Sequence, residues 1–170
     1  MANIIPVKIY EVKLDIEKYV YFLRINKDTF GLFDVVSESK VEIKTLENRK
    51  IIDIKSCSFS DWENYKKLNM RQSGWRKIGE MDLSTVKIPD MAVYNSWNPE
   101  ESHRDCLVIK DFKEAIKVTP EEYKKLVERG LILGRVPSSE VFKKYITRNI
   151  ENIINNQPMD SSWDTSRFHD

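Results

Sequence analysis

Between Val7 and Leu14 apolar and polar side chains alternate: Val7 and Ile9 flank Lys8, and Tyr10, Val12 and Leu14 are separated by Glu11 and Lys13, with one break in register between Ile9 and Tyr10. Period two with β-branched and aromatic residues predicts a half-buried strand. A denser run, Tyr19 to Ile25, is followed by turn chemistry at Asn26-Lys27-Asp28 and a second run from Thr29 to Val36, so the two form a hairpin. Val41 to Thr45 and Lys50 to Phe59 repeat the pattern across Glu47-Asn48. The first sixty residues therefore predict a meander of up to five strands, which twist would curl toward a half-barrel.

The pattern then changes period. Ser60-Asp61-Trp62-Glu63 is a capping box that opens a short helix to about Met70, with Trp62 and Tyr65 on one face to cover an open end of the sheet. Met91 to Tyr94, Leu107 to Ile109 and Ala115 to Val118 are brief strand candidates around a polar loop, Asn95 to Asp105, with a partly helical Phe112 to Val118 as the alternative that so short an apolar run leaves open. Thr119-Pro120-Glu121-Glu122 starts a helix with an N-cap, a proline at the first position and acids in the first turn; it ends at Arg129-Gly130. Ser138-Ser139-Glu140 opens another, with Val141, Phe142, Tyr145, Ile146, Asn149, Ile150 and Ile153 at helical spacing. The expectation is one α+β domain over residues 1–154: a curled, mainly antiparallel sheet or half-barrel, a short covering helix and two C-terminal helices. Residues 155–170, polar and carrying Pro158, are expected to form a disordered tail.

Composition narrows the function classes. At 170 residues the chain can bury one core without disulfide staples. Lys and Arg total 28 against 27 Asp and Glu, which leaves no global field to draw nucleic acid or an anionic membrane. The tyrosines and phenylalanines of the early strands sit where a core face would place them, a further argument against a single-strand nucleic-acid platform. The N-terminus lacks the pattern of a signal peptide, and no run approaches the ~20 apolar residues of a membrane span. The expected location is the cytoplasm.

The chain is poor in catalytic material. Phosphate-cradling glycine motifs, a nucleophile elbow and paired zinc-protease histidines are all missing from the sequence. Cys57 and Cys106 are far apart, and His103-x-x-Cys106 supplies half of a zinc site with too few further ligands to complete it, so neither a metal nor a cofactor is expected. The loop Glu100 to Cys106 gathers acids, His103 and a thiol, yet adjacent loop residues rarely converge on one point. The reading is of a protein that is not an enzyme.

One stretch carries a family likeness. Gly74-Trp75-Arg76-Lys77-Ile78-Gly79-Glu80-Met81-Asp82-Leu83, with Pro89 downstream, is first a packing device: Trp75 and Ile78 belong to a core, the glycines permit tight backbone geometry, and Arg76 and Lys77 face outward. As W-x-x-I-G-x-x-x-L with a later proline, following a run of short strands, it also resembles the middle of the immunity-protein-26 family of bacterial polymorphic toxin systems. The likeness spans roughly Val7 to Val118. It implies a non-catalytic inhibitor that binds a cognate toxin protein, encoded by an adjacent gene, and blocks an essential surface. Hydrolase descriptions attached to some relatives would need a metal-activated water, and this chain departs from that requirement. It departs also at Asp15 to Lys18, where relatives have a glycine-rich turn, and the two C-terminal helices lie beyond the match.

Binding of that kind needs a preformed surface with an aromatic anchor and complementary charge. Trp97 beside Glu100, Glu101 and Asp105 offers one that could oppose the basic groove of a nuclease; the bland alternative is that Trp97 packs onto the sheet while its neighbours are solvated. The competing function is a phage- or plasmid-borne adaptor or regulatory module that binds another protein or nucleic acid.

Overall fold

The computed structural model of the chain describes residues 6–25, 29–57, 75–93, 106–110, 115–129, 131–136 and 139–160. Its strands are β1 (Pro6–Lys13), β2 (Tyr19–Arg24), β3 (Thr29–Ser37), β4 (Ile51–Cys57), β5 (Trp75–Asp82), β6 (Met91–Val93), β7 (Leu107–Ile109), β8 (Ala115–Lys117) and β9 (Ile132–Val136). Its helices are α1 (Pro120–Glu128), α2 (Ser139–Arg148) and α3 (Ile150–Ile154). Among the described residues these strands make one unclosed sheet in the order β5-β1-β2-β3-β4-β9-β6-β7-β8. Neighbours are antiparallel except for β9, which runs parallel to both β4 and β6. The fold is α+β, with a mostly antiparallel sheet and helices at the C-terminal end, as the pattern predicts. The helix expected after Ser60 lies outside the described residues.

The alternation in β1 has a different cause from the one its sequence suggests. Its pairing with β2 is regular, from Lys8↔Arg24 through Lys13↔Tyr19. Both faces are buried, so β1 is not a half-buried strand: Val7 and Ile9 point to one side, Tyr10, Val12 and Leu14 to the other. The apparent break at Ile9/Tyr10 marks the step where the apolar set changes faces. Opposite that step β5 carries a bulge, since Ile9 pairs with Gly79 and Tyr10 with Lys77, leaving Ile78 as the extra residue.

Each face has its own cover. On the helix face Trp75, 2% exposed, stacks on Phe22 at 5.1 Å between ring centroids, and Phe142 from α2 meets Phe22 at 4.9 Å. Tyr10 and Phe30 meet Trp75 edge-on. Such ring pairs add roughly 0.5–1.5 kcal/mol each beyond their area. Tyr145 and Ile146 of α2, Ile150 and Ile153 of α3 and then Met159 complete this core. The predicted second C-terminal helix is thus two: the chain breaks at Asn149, whose side chain donates to the Tyr145 carbonyl and accepts from the Asn152 amide and the Asp160 backbone. Residues 155–160, assigned by composition to the tail, are part of the fold, because Met159 is buried. Residues 161–170 are outside the described set.

The opposite face carries Val7, Ile9, Tyr21, Leu23, Phe33, Ile51, Ile54 and Met81. Val41 to Thr45, expected as a strand, instead enters a 3-10 turn at Ile43–Leu46. Its alternation is real but serves packing: Val41, Ile43 and Leu46 all lie on this face of the sheet. Asn48, at φ 64°, supplies the left-handed residue that returns the chain to β4. At the β1–β2 turn the same conformation falls to Glu17, at φ 58°, in the place where a glycine would be easiest. At Gly79 a Cβ would lie 2.9 Å from Ile43 Cδ1, the far end of a half-buried side chain that can give way.

β9 was not legible in the apolar run Leu131-Ile132-Leu133, yet it joins the two halves of the sheet. Lys55↔Gly134 to Cys57↔Val136 pair it with β4, and Ala92↔Ile132 and Val93↔Leu133 pair it with β6. Its first residues therefore belong to one neighbour and its last to the other. Beyond β9, β6, β7 and β8 build a small subsheet whose core of Ala92, Cys106 and Val108 is closed by Tyr123, Leu126 and Val127 of α1. The outer strands are blunted against edge pairing: β8 is three residues long, and β5 is bulged with exposed Arg76, Lys77 and Glu80.

Candidate functional site

The predicted contact residues Trp97, Glu100, Glu101 and Asp105, together with His103, lie outside the described residues. What surrounds them in the chain is well defined. β6 and β7 pair antiparallel through Met91↔Ile109 and Ala92↔Val108, so the segment 94–105 is strung between two fixed strand ends. Its far end is Cys106, a buried cysteine at φ 49° whose carbonyl accepts from the Val118 amide at 3.0 Å. α1, which backs this subsheet, starts with a full capping box: Thr119 Oγ1 accepts from the Glu122 amide, the Glu122 carboxylate accepts from the Thr119 amide, and Pro120 occupies the first turn. Tyr123 then faces inward. The strands that flank segment 94–105 in the chain are thus a pair clamped by a capped helix.

A second polar constellation is sealed inside the helix-face core. Asp53 and Lys55 alternate along β4 on the side that α2 covers, 1% and 3% exposed. Lys55 Nζ donates to Asp53 Oδ1 at 2.9 Å and to the Ile132 carbonyl of β9 at 3.1 Å, and sits 5.1 Å above the Tyr145 ring. The Ile54 amide donates to the same Asp53 oxygen at 2.9 Å. Burial pushes the Asp53 carboxyl above the ordinary carboxylate range; the Lys55 charge and hydrogen bond, then the Tyr145 hydroxyl and the Ile54 amide, oppose it without cancelling it.

The geometry shows why an ammonium is needed there. Continuing the register Lys55↔Gly134 back by two residues would set Asp53 against Ile132, but the β4–β9 ladder starts only at Lys55. The Leu131 carbonyl has already turned to the Ala92 amide of β6, at 2.8 Å. The next carbonyl, Ile132, faces β4, where the Lys55 side chain serves as donor in place of a backbone rung. A buried peptide carbonyl left without a donor would cost about 1–3 kcal/mol.

A third group crosses the other face. Glu11, 2% exposed, lies opposite Arg76 on one neighbouring strand and Tyr21 on the other. Arg76 Nη2 reaches its carboxylate at 3.2 Å, and Tyr21 donates to it at 3.4 Å. The Tyr21 hydroxyl accepts from the Val41 amide at 3.0 Å and so pins the chain entering the 3-10 turn. Desolvation raises the Tyr21 pKa above the ordinary phenol value.

Sequence reasoning passed over Glu11, Asp53 and Lys55, and read Tyr145 only as part of an apolar helix face. Charges at alternate positions of a strand read as a solvated face unless the cover is known. The available signal was the apolar stripe of α2, which had to lie on some strand face. A shallow, open depression of about 210 Å³ is lined by Ile51, Ile52, Pro89, Arg129, Leu131 and the turn after α3. Among the described residues no three His, Cys, Asp or Glu side chains stand together to hold a metal ion, and no helix is long and apolar enough to cross a membrane. Comparison with protein-family models, curated proteins and solved structures returns no match for this chain.

Proposed function

We propose that this protein is an immunity protein that neutralises a cognate bacterial toxin domain by binding it, without catalysis, in the cytoplasm of the cell that makes both. The observation that carries the reading is the β6–β7 hairpin with its capped helix. Its strands flank the segment bearing Trp97, Glu100, Glu101 and Asp105, and ordered flanks lower the ordering cost of an interface. The interior charges support the same view: Glu11 and Asp53 are engaged by Arg76 and Lys55, which leaves recognition to the surface. Trp97 is the aromatic anchor and the acids steer toward a basic cleft. An inhibitor that must outcompete a toxin's substrate needs a Kd in the nanomolar range or below, roughly −12 kcal/mol.

Co-expression with the product of the adjacent gene, scored for survival and co-purification, tests this. Rescue that persists in His103→Ala and falls in Trp97→Ala or on reversal of Glu100 and Glu101 is the expected outcome. Loss of rescue in His103→Ala with the complex intact would indicate catalysis. Failure to bind any neighbour-encoded protein would move the assignment to an adaptor module.

A further inference from the structure

Where β4 and β9 diverge, the surface of the sheet is hollowed. Their ladder runs from Lys55↔Gly134 to Cys57↔Val136; before it, the Ile51 amide donates to the Lys87 carbonyl at 3.2 Å and the Leu131 carbonyl accepts from the Ala92 amide at 2.8 Å. The open depression of about 210 Å³ has Ile51 and Ile52 of β4, Pro89, Arg129 and Leu131 among its walls. The turn after α3 supplies the rest: Asn156, at φ 54°, reverses the chain, which runs along the depression as far as Met159 before the Asp160 amide is fixed to Asn149 Oδ1. The hollow is smaller than the roughly 300–1,000 Å³ of small-molecule sites and largely aliphatic, so it suits one large apolar side chain. Its rim is basic. Arg129 is exposed beside the aliphatic wall, and exposed Lys50 and Lys87, next to Ile51 and two residues before Pro89, bridge to each other; one acid, half-buried Asp90, follows Pro89.

We infer that the C-terminal segment, residues 161–170, docks back on this depression, with Trp163 as the occupant and Asp164 beside Arg129. The tether starts at a fixed point on the depression's own wall, since Met159 lines it and Asp160 is held by Asn149. From Asp160 to Trp163 the chain spans at most roughly 10 Å, and Asp160-Ser161-Ser162 is turn chemistry that lets it fold back. A tether this short holds the indole at an effective concentration on the order of millimolar, which favours it over a second copy or a separate protein. The chemistry matches as well: the ring meets aliphatic walls, and the carboxylate that follows it meets a basic rim. Docked there, the segment straps the end of α1 and the start of β9 to β4, at the level where the ladder between the two strands has not begun.

The test uses the full chain with 5-fluorotryptophan at its four tryptophans, the Trp163 fluorine being assigned with Trp163→Phe. The shift of that resonance between water and heavy water reads solvent exposure, and a free peptide of residues 161–170 gives the fully exposed value. The expected shift is at most about half that of the peptide, because a seated ring keeps one face out of water. Arg129→Gln with Leu131→Ser removes the cation and an apolar wall, and should return the shift to the peptide value while the far-UV circular dichroism stays unchanged. Asp164→Arg, which alters no described residue, should also raise it, and decides the case if the first variant does not fold. A Trp163 shift equal to that of the peptide in the unaltered chain would overturn the docking. Protection that survives either variant in a folded protein would overturn the site. Protection lost on dilution would give the depression to the segment of a second copy, and would overturn docking within one chain.

Discussion

Lys55→Met isolates one half of the buried ion pair. The substitution keeps most of the aliphatic stem and removes the ammonium, so Asp53 stays 1% exposed with the Ile54 amide and the Tyr145 hydroxyl as its remaining support, and the Ile132 carbonyl loses its donor. Breaking a buried pair by removing one partner costs about 3–5 kcal/mol. For a domain of this size, each 1 kcal/mol moves Tm by roughly 2–4 °C, so a fall on the order of 10 °C is expected at pH 7. The pH dependence carries the sign. The Asp53 carboxyl is already raised in the folded state by burial, and what chiefly opposes that rise is the charge and the hydrogen bond of Lys55. In Lys55→Met the folded pKa climbs further above the unfolded value, the native state binds more protons in that interval, and stability falls as pH rises through the folded pKa. The penalty should therefore be largest at neutral pH and shrink as pH falls toward the ordinary carboxylate range, by about 1.4 kcal/mol for each pH unit by which the carboxyl is raised further. Urea titrations of parent and variant at pH 7 and pH 5, followed by circular dichroism, read this directly. A loss below about 1 kcal/mol at pH 7, or one equal at both pH values, would refute the claim that a buried charge is being stranded.

Other perturbations test the packing. Trp75→Ala empties the centre of the aromatic cluster and should cost roughly 3–5 kcal/mol in a thermal or urea melt. Gly79→Ala brings a methyl against Ile43 Cδ1, the movable end of a half-buried side chain, and should cost less than about 1 kcal/mol in the same melts; a larger loss would show that Ile43 cannot give way. Truncation after Asn156 removes buried Met159 and the Asp160 amide that bonds Asn149, and should destabilise by about 2–5 kcal/mol, whereas truncation after Asp160 should leave both contacts in place.

The β1–β4 meander was legible because alternation and turn chemistry are local. The β2–β3 hairpin, Trp75 as a core residue and the capped start of α1 all follow from residues within a few positions of one another. What failed depends on distant cover. β1 is buried on two faces, which no half-buried template anticipates, and its change of face at Ile9/Tyr10 looked like an irregularity. Val41, Ile43 and Leu46 share a packing direction without being a strand, because they lie over a sheet face instead of in a sheet. Asp53 and Lys55 have the spacing of a solvated face until α2 is placed above them. β9 is five residues of unremarkable aliphatic sequence whose role comes from its two parallel neighbours. The proposed contact residues were chosen on chemistry alone, and the fold adds the strands that flank their segment.

The position of β9 also dictates an order in time. Lys55 and the carbonyl it bonds are 77 residues apart in the chain. At the ~5–20 residues per second of translation, roughly 4 to 15 s separate their emergence from the ribosome. Through that interval β1 to β4 can pair with one another, but the helix face, with Phe22 and Phe30 already made and Trp75 arriving early, has no α2 to cover it. The nascent chain therefore presents an aromatic sheet surface to its surroundings until its last third is synthesised, and the yield of folded protein should depend on what shields that surface in the meantime.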